Sequence, residues 1–284
     1  MTEKQSPVFG RPDEWDQFAK RHGLFLERFP NLKAAFDTAF LRRGKIDRSV
    51  DSVVFFLGRL CVEDFMEVLL LCANGYGIGG MKILRGMYER AVTAAYLHNH
   101  PERVEDFLDY YWVSNHKLAK AIKETFGSGA LPEDERAKEL EENFKRVRNR
   151  FMVTDCEQCG TKRLNYTWSK LDFVSMAKSV GALGKMIVPS YHIPTERGHS
   201  TAAAVVRLLR EEKDGAITFE GGPQHDMADT ALITAHNVLL QVLWWQKEHF
   251  GLDSLDAPLQ KCFQDFKDIW SDGRDGFQGE VSGA

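Results

Sequence analysis

The chain is short of the features that would commit it early to a class. Its N-terminus, MTEKQSPVFGRPDEW, has no apolar signal segment, and its longest apolar stretches, Val68–Met81 and Ala231–Trp245, are too short for a membrane span. Asn74 interrupts the first stretch, and His236, Asn237 and Gln241 interrupt the second. Five cysteines, an odd number scattered over 284 residues, make no disulfide framework. The expectation is a protein of the reducing cytoplasm with no membrane partner, in which the Asn165-Tyr166-Thr167 sequon meets no glycosylation machinery. An excess of basic charge is also lacking: the net charge of -4 and pI near 6.2 argue against a general electrostatic grip on nucleic acid. No internal repeat occurs.

What is present is enough apolar sequence for a large core, 43% of residues, recurring at three- and four-residue spacing with few runs of strict alternation. The reading is a mainly α fold, a multi-helix bundle with a small irregular or β-hairpin insertion, and with no cofactor. Helices are predicted over 13–27, 31–43, 49–74, 80–99, 101–126, 132–150, 167–181, 200–212, 226–249 and 257–271. Residues 1–46 are expected to form an N-terminal helical extension, 47–271 an all-α core domain and 272–284 a disordered tail. Two irregular stretches remain, 151–165 and 213–224. In the second, Ala216-Ile217-Thr218-Phe219 between Gly215 and Gly221-Gly222 suits a short hairpin arm.

Several motifs carry chemistry in principle. Gly75-Tyr76-Gly77-Ile78-Gly79-Gly80 satisfies the dinucleotide spacing G-x-G-x-x-G, but the segment before it is helical and no second strand follows, so an interhelical turn is the better reading. Cys156 and Cys159 have the spacing of half a zinc knuckle and are kept as an alternative metal or redox site; otherwise no metal is expected. Glu196 and His199 show the E-x-x-H spacing of di-iron bundles, yet Pro194 and Gly198 argue against a helix there and no second copy exists. The run Pro132–Arg150 reads as a solvated helix whose only basic cluster is Lys145, Arg146, Arg148 and Arg150. Trp112, Trp244 and Trp245 read as core or subunit contacts of a homo-oligomer.

The strongest constellation is Arg85, Glu89 and His199. Arg85 and Glu89 fall four residues apart at the edge of an apolar helical stripe, and arginine before glutamate is the weaker order for helix stabilisation, which points to tertiary contacts. A buried polar site is expected, with His199 passing protons near neutral pH and Arg85 holding an anion. The bland alternative is a structural ion pair, with Ser200 or Thr201 simply capping the next helix.

These residues, with Tyr96-Leu97, Pro101-Glu102, Trp168, Tyr191, Thr195, His199-Ser200 and Phe219-x-Gly221-Gly222-Pro223 in that order, give a chain that resembles the bacterial family catalogued as domain of unknown function 5677, over roughly residues 47–250. The family usually has serine where this chain has Thr195, which keeps a hydroxyl, and the cysteine pair is not part of its pattern. The resemblance implies an all-helical fold and a shared polar site of Arg85, Glu89, Tyr191, Thr195 and His199, and it implies no reaction. A more distant similarity is to the helical ribonucleases of the HEPN superfamily, which use an arginine and a histidine without metal. Their arginine and histidine lie on one helix, whereas here Arg90 and His98 miss the spacing by one residue and Arg85 and His199 must come from separate helices. The functional expectation is a metal-independent ribonuclease-like or nucleotide-binding effector of toxin or defence type. Arg85, Glu89 and His199 would be catalytic and Tyr96, Tyr191, Thr195 and Ser200 would bind RNA or a nucleotide. The rival is a non-catalytic helical oligomerisation or interaction module with a structural Arg/Glu/His network.

Overall fold

A computed structural model describes residues 10–42, 48–132, 134–156, 158–219 and 221–271. The expected extension of 1–46 falls partly, and the expected tail of 272–284 wholly, outside these residues. The α-helices are α1 (Pro12–Arg21), α2 (Gly23–Phe40), α3 (Ser49–Ala73), α4 (Gly77–Asn99), α5 (Val104–Phe126), α6 (Glu135–Val147), α7 (Phe173–Lys178), α8 (Ala182–Lys185), α9 (Ile193–Gly198), α10 (Ala202–Val206), α11 (His225–Phe250) and α12 (Asp256–Trp270). Two antiparallel hairpins interrupt them, β1 (Met152–Thr154) with β2 (Lys162–Leu164) and β3 (Leu209–Glu211) with β4 (Ile217–Phe219). The mainly α reading with small hairpin insertions therefore holds, and the predicted arm around Ile217–Phe219 is β4.

The chain divides into two compact units, Met1–His98 with Ala177–Ala284, and Asn99–Met176. In the first, α11 packs along α3, while α12 and α2 close over α11. The core consists of residues such as Phe65, Val68, Leu84, Met87, Leu232 and Leu239, all buried, each contributing about 1.5–3 kcal/mol by leaving water. The glycine run explains itself here. Gly75 has φ +75°, and a Cβ on Gly77 would lie 2.6 Å from the Ala228 amide nitrogen and the Gln224 carbonyl oxygen. One on Gly80 would lie 2.8 Å from the Cys72 sulfur. These glycines let α4 approach its neighbours, and a helix precedes them, so the interhelical reading stands.

In the second unit α5 packs on α6 around Val113, Phe144, Val147 and Phe151, with the β1/β2 hairpin supplying Leu164. Its basic cluster is largely neutralised. Arg146 reaches Asp109 at 3.1 Å, Arg150 pairs with Asp109 and Asp106, and Lys145 lies 3.1 Å from Glu141.

Several predicted boundaries are corrected. The N-terminal break falls at His22, and Pro30 sits inside α2, where only one backbone hydrogen bond is forfeited and Phe25, Leu32 and Phe36 are buried on the same helix. The predicted helix over 167–181 begins only at Phe173, and that over 200–212 stops at Val206, because Leu209–Glu211 pairs with Ile217–Phe219. Residues 193–198 are helical against expectation: Pro194 occupies the first turn, where its missing N–H costs nothing.

Candidate functional site

The candidate site lies wholly within the first unit, where the segment 182–201 crosses the middle of α4. Two contacts hold that segment in place. The buried Tyr88 hydroxyl donates to the Leu183 carbonyl at 2.7 Å, and Gly198 lies so close to Lys82 that an added Cβ would meet its Cγ at 3.0 Å. Between these points the chain makes a π-helical turn, Val188–His192, before entering α9. Such turns are rare and are found mostly at functional sites. Here the turn delivers Tyr191 to Arg85.

Arg85 is the hub. Its Nε donates to Glu89 Oε1 at 3.0 Å, one turn along α4. Its Nη1 meets His199 Nε2, and its Nη2 lies 3.5 Å from the Tyr191 hydroxyl. The guanidinium carbon stands 4.8 Å from the Tyr191 ring centroid, a cation–π geometry. A guanidinium only donates, so in this contact His199 Nε2 is the accepting atom. His199 itself follows α9 in extended backbone. Its amide donates to the Thr195 carbonyl at 3.3 Å, and its carbonyl accepts from Thr201 at 2.8 Å.

The residues expected at the site do not all meet. Arg85, Glu89, Tyr191 and His199 come together, and Thr195 acts one step away, its hydroxyl donating to the Tyr191 carbonyl at 2.5 Å and so tying α9 to the π turn. Thr201 caps α10 by accepting from the Ala204 amide at 3.2 Å, as anticipated, while Ser200 is exposed beside His199. Tyr96 is buried and lies three helical turns from Arg85, about 16 Å along the axis, so it does not join the cluster. The expectation of a buried site is also corrected. Arg85 and Tyr191 are half-buried, Glu89 is 42% exposed at its side chain and His199 is exposed. The cluster therefore faces solvent over a packed floor of Leu84, Tyr88 and Pro194.

Sequence reasoning missed two contributors. Lys82, one turn before Arg85, brings a second cation beside Gly198, and Tyr88 anchors the segment from below. Lys82 was legible in its three-residue spacing from Arg85; Tyr88 depends on a contact across a long sequence separation that leaves no local signal.

The family described as a family of unknown function (DUF5677) matches residues 51–217, more than half of the chain, and that stretch contains every residue of the cluster. No curated protein matches the chain, and no solved structure matches it.

Proposed function

The chain belongs to the family of unknown function DUF5677, and we propose that the stretch it shares with that family carries an anion-binding, acid–base site acting on a phosphodiester or nucleotide. The observation that supports this reading is the contact of Arg85 Nη1 with His199 Nε2, which joins a fixed cation to an imidazole across 114 residues. A phosphate that takes the Nη edge of Arg85 displaces the imidazole and leaves Nε2 as a base beside the bound anion. On a ribonucleotide, Nε2 accepts the proton of the 2′-hydroxyl as its oxygen attacks phosphorus. The Tyr191 hydroxyl then supplies the proton to the departing 5′-oxygen. Glu89 keeps Arg85 oriented, and Lys82 adds charge at the rim.

A second reading is favoured by one feature: Nε and both Nη atoms of Arg85 have intrachain partners. In that reading the network fixes residues 188–201 on α4, and the protein acts as an interaction module. Titration of a fluorescent single-stranded oligoribonucleotide with wild-type protein and Arg85→Gln separates the two. The phosphodiester reading predicts binding weakened about 10- to 100-fold, the worth of one charge-assisted hydrogen-bonded contact, with the melting temperature little changed. Equal binding by both proteins, with Arg85→Gln melting several degrees lower, would favour the structural network.

A further inference from the structure

The five cysteines separate into two chemical classes. Cys61, Cys72 and Cys262 are buried in the first unit, and burial pushes all three thiols up, Cys72 to about 12 and Cys262 to about 11. Cys61 also spends its S–H on the Met87 carbonyl at 3.4 Å. These thiols are inert packing groups.

Cys156 and Cys159 are built differently. They lie on the loop between β1 and β2 of the second unit, half-buried and exposed respectively. The loop is closed at its base by the Asp155 amide donating to the Thr161 carbonyl at 2.7 Å and by Arg163 Nε donating to Asp155 at 2.6 Å. A further bond from the Gly160 amide to the Cys156 carbonyl at 2.9 Å folds the chain so that the two thiols share one turn. Gly160 has φ +66°, which a residue with a side chain would adopt only under strain. The Thr161 hydroxyl stands 2.8 Å from the Cys159 sulfur. The Thr161 hydroxyl, with smaller contributions from the Cys156 thiol and the Thr161 amide, brings the Cys159 thiol down to about 7. A donor cradle around one sulfur with a second thiol in reach is the arrangement of an attacking and a resolving cysteine. A zinc site would need a fuller ligand set, and no group of three or more His, Cys, Asp or Glu side chains suited to a metal occurs among the described residues.

We propose that Cys156 and Cys159 form a thiol–disulfide exchange site, with Cys159 the attacking thiolate, Cys156 the resolving thiol and a low-molecular-weight disulfide such as oxidised glutathione the co-substrate. The Cys159 thiolate attacks one sulfur of the small disulfide, whose S–S bond breaks and releases one thiolate that takes a proton from water. Cys156, losing its proton to solvent, attacks the Cys159 sulfur of the mixed disulfide and expels the second thiolate, which is protonated in turn. Two electrons pass from the protein to the small disulfide. One protein disulfide and two small thiols result.

The test treats the folded, fully reduced protein with oxidised glutathione near pH 7, quenches by alkylation in denaturant and maps the cysteines by mass spectrometry. Wild type should lose two alkylatable thiols, both in the peptide holding Cys156 and Cys159, while Cys61, Cys72 and Cys262 stay alkylatable as an internal control for folding. Cys156→Ser should accumulate a stable glutathione adduct on Cys159. Cys159→Ser should react at least about ten-fold more slowly, as the thiolate fraction of an ordinary cysteine at this pH dictates. Thr161→Val, which removes a donor while leaving both thiols, should slow the first step near neutral pH and approach the wild-type rate at pH 9. Equal rates for wild type and Cys159→Ser, an adduct that resides on Cys156, or a full complement of free thiols in treated wild type would each overturn the assignment. So would stoichiometric zinc held by both thiols in protein purified without chelator.

Discussion

At the scale of single residues, the proposed chemistry turns on one imidazole nitrogen. His199 Nε2 faces a guanidinium that never gives up its proton, so the imidazole nitrogen is the acceptor in that contact. On the proposed reading it serves as a base once an anionic substrate draws that cation away. General-base catalysis by a positioned histidine is worth roughly 10²- to 10⁴-fold, and that range sets what loss of the side chain should cost. How much of this was legible differs from residue to residue. Arg85 and Glu89 could be paired from helical spacing alone, because i and i+4 share a face. Tyr96 shares that face three turns on and was wrongly drawn to the site, since sequence period fixes direction around a helix and not distance along it. The burial of the cluster was overestimated for a related reason: the residues flanking Arg85 on α4 are core, but what covers the arginine is a short segment from far along the chain.

At the scale of elements, the approach of α4 to α11 depends on glycines with no room to spare. A methyl group at Gly77 would lie 2.6 Å from backbone atoms of Gln224 and Ala228, and backbone gives way less readily than the end of a side chain. Gly77→Ala should therefore destabilise the protein by about 1–3 kcal/mol, read as a lower midpoint in urea unfolding at unchanged slope. An unchanged midpoint would show that α4 can shift at no cost and that the close packing is incidental. The long helices α3, α4, α5 and α11 were legible within a few residues because their apolar periodicity runs through six or more turns. The stretch from 167 to 219 was not. Its α-helices have six residues or fewer, and the segment carrying the π turn is held by tertiary contacts such as Tyr88 to Leu183; only the β4 arm, set by local turn residues, could be read there. Pro194 misled for the same reason: it was taken as a breaker when it stands in a first turn.

At the scale of the whole molecule, buried histidines tie stability to pH. His236 is enclosed by Phe25, Phe65 and Phe266 and accepts from Trp270 Nε1 at 3.2 Å, and burial brings it down to about 3. Burial lowers His98, His116 and His249 as well. Each of these is depressed in the folded chain, so below the ordinary histidine value near 6.5 the unfolded chain binds more protons than the folded one. Their contribution is complete above that value and is lost as pH falls below it, for His236 down toward 3. His236 alone should cost about 2 kcal/mol between pH 7 and pH 5. The melting temperature should fall over that interval, and less steeply in His236→Gln; a flat profile in wild type would mean that these histidines are not buried in the neutral form.

If Arg85 and His199 form an acid–base site for phosphodiesters, the protein cleaves RNA without metal. Labelled total RNA is incubated in EDTA with wild-type protein and with His199→Ala, and thermal unfolding of both is recorded in the same buffer. Wild type should cleave, and the variant should cleave at least about 100-fold more slowly at an unchanged melting temperature. Absence of cleavage by wild type, with a clearly destabilised variant, would contradict that reading and leave the cluster a structural tie between α4 and the segment that crosses it.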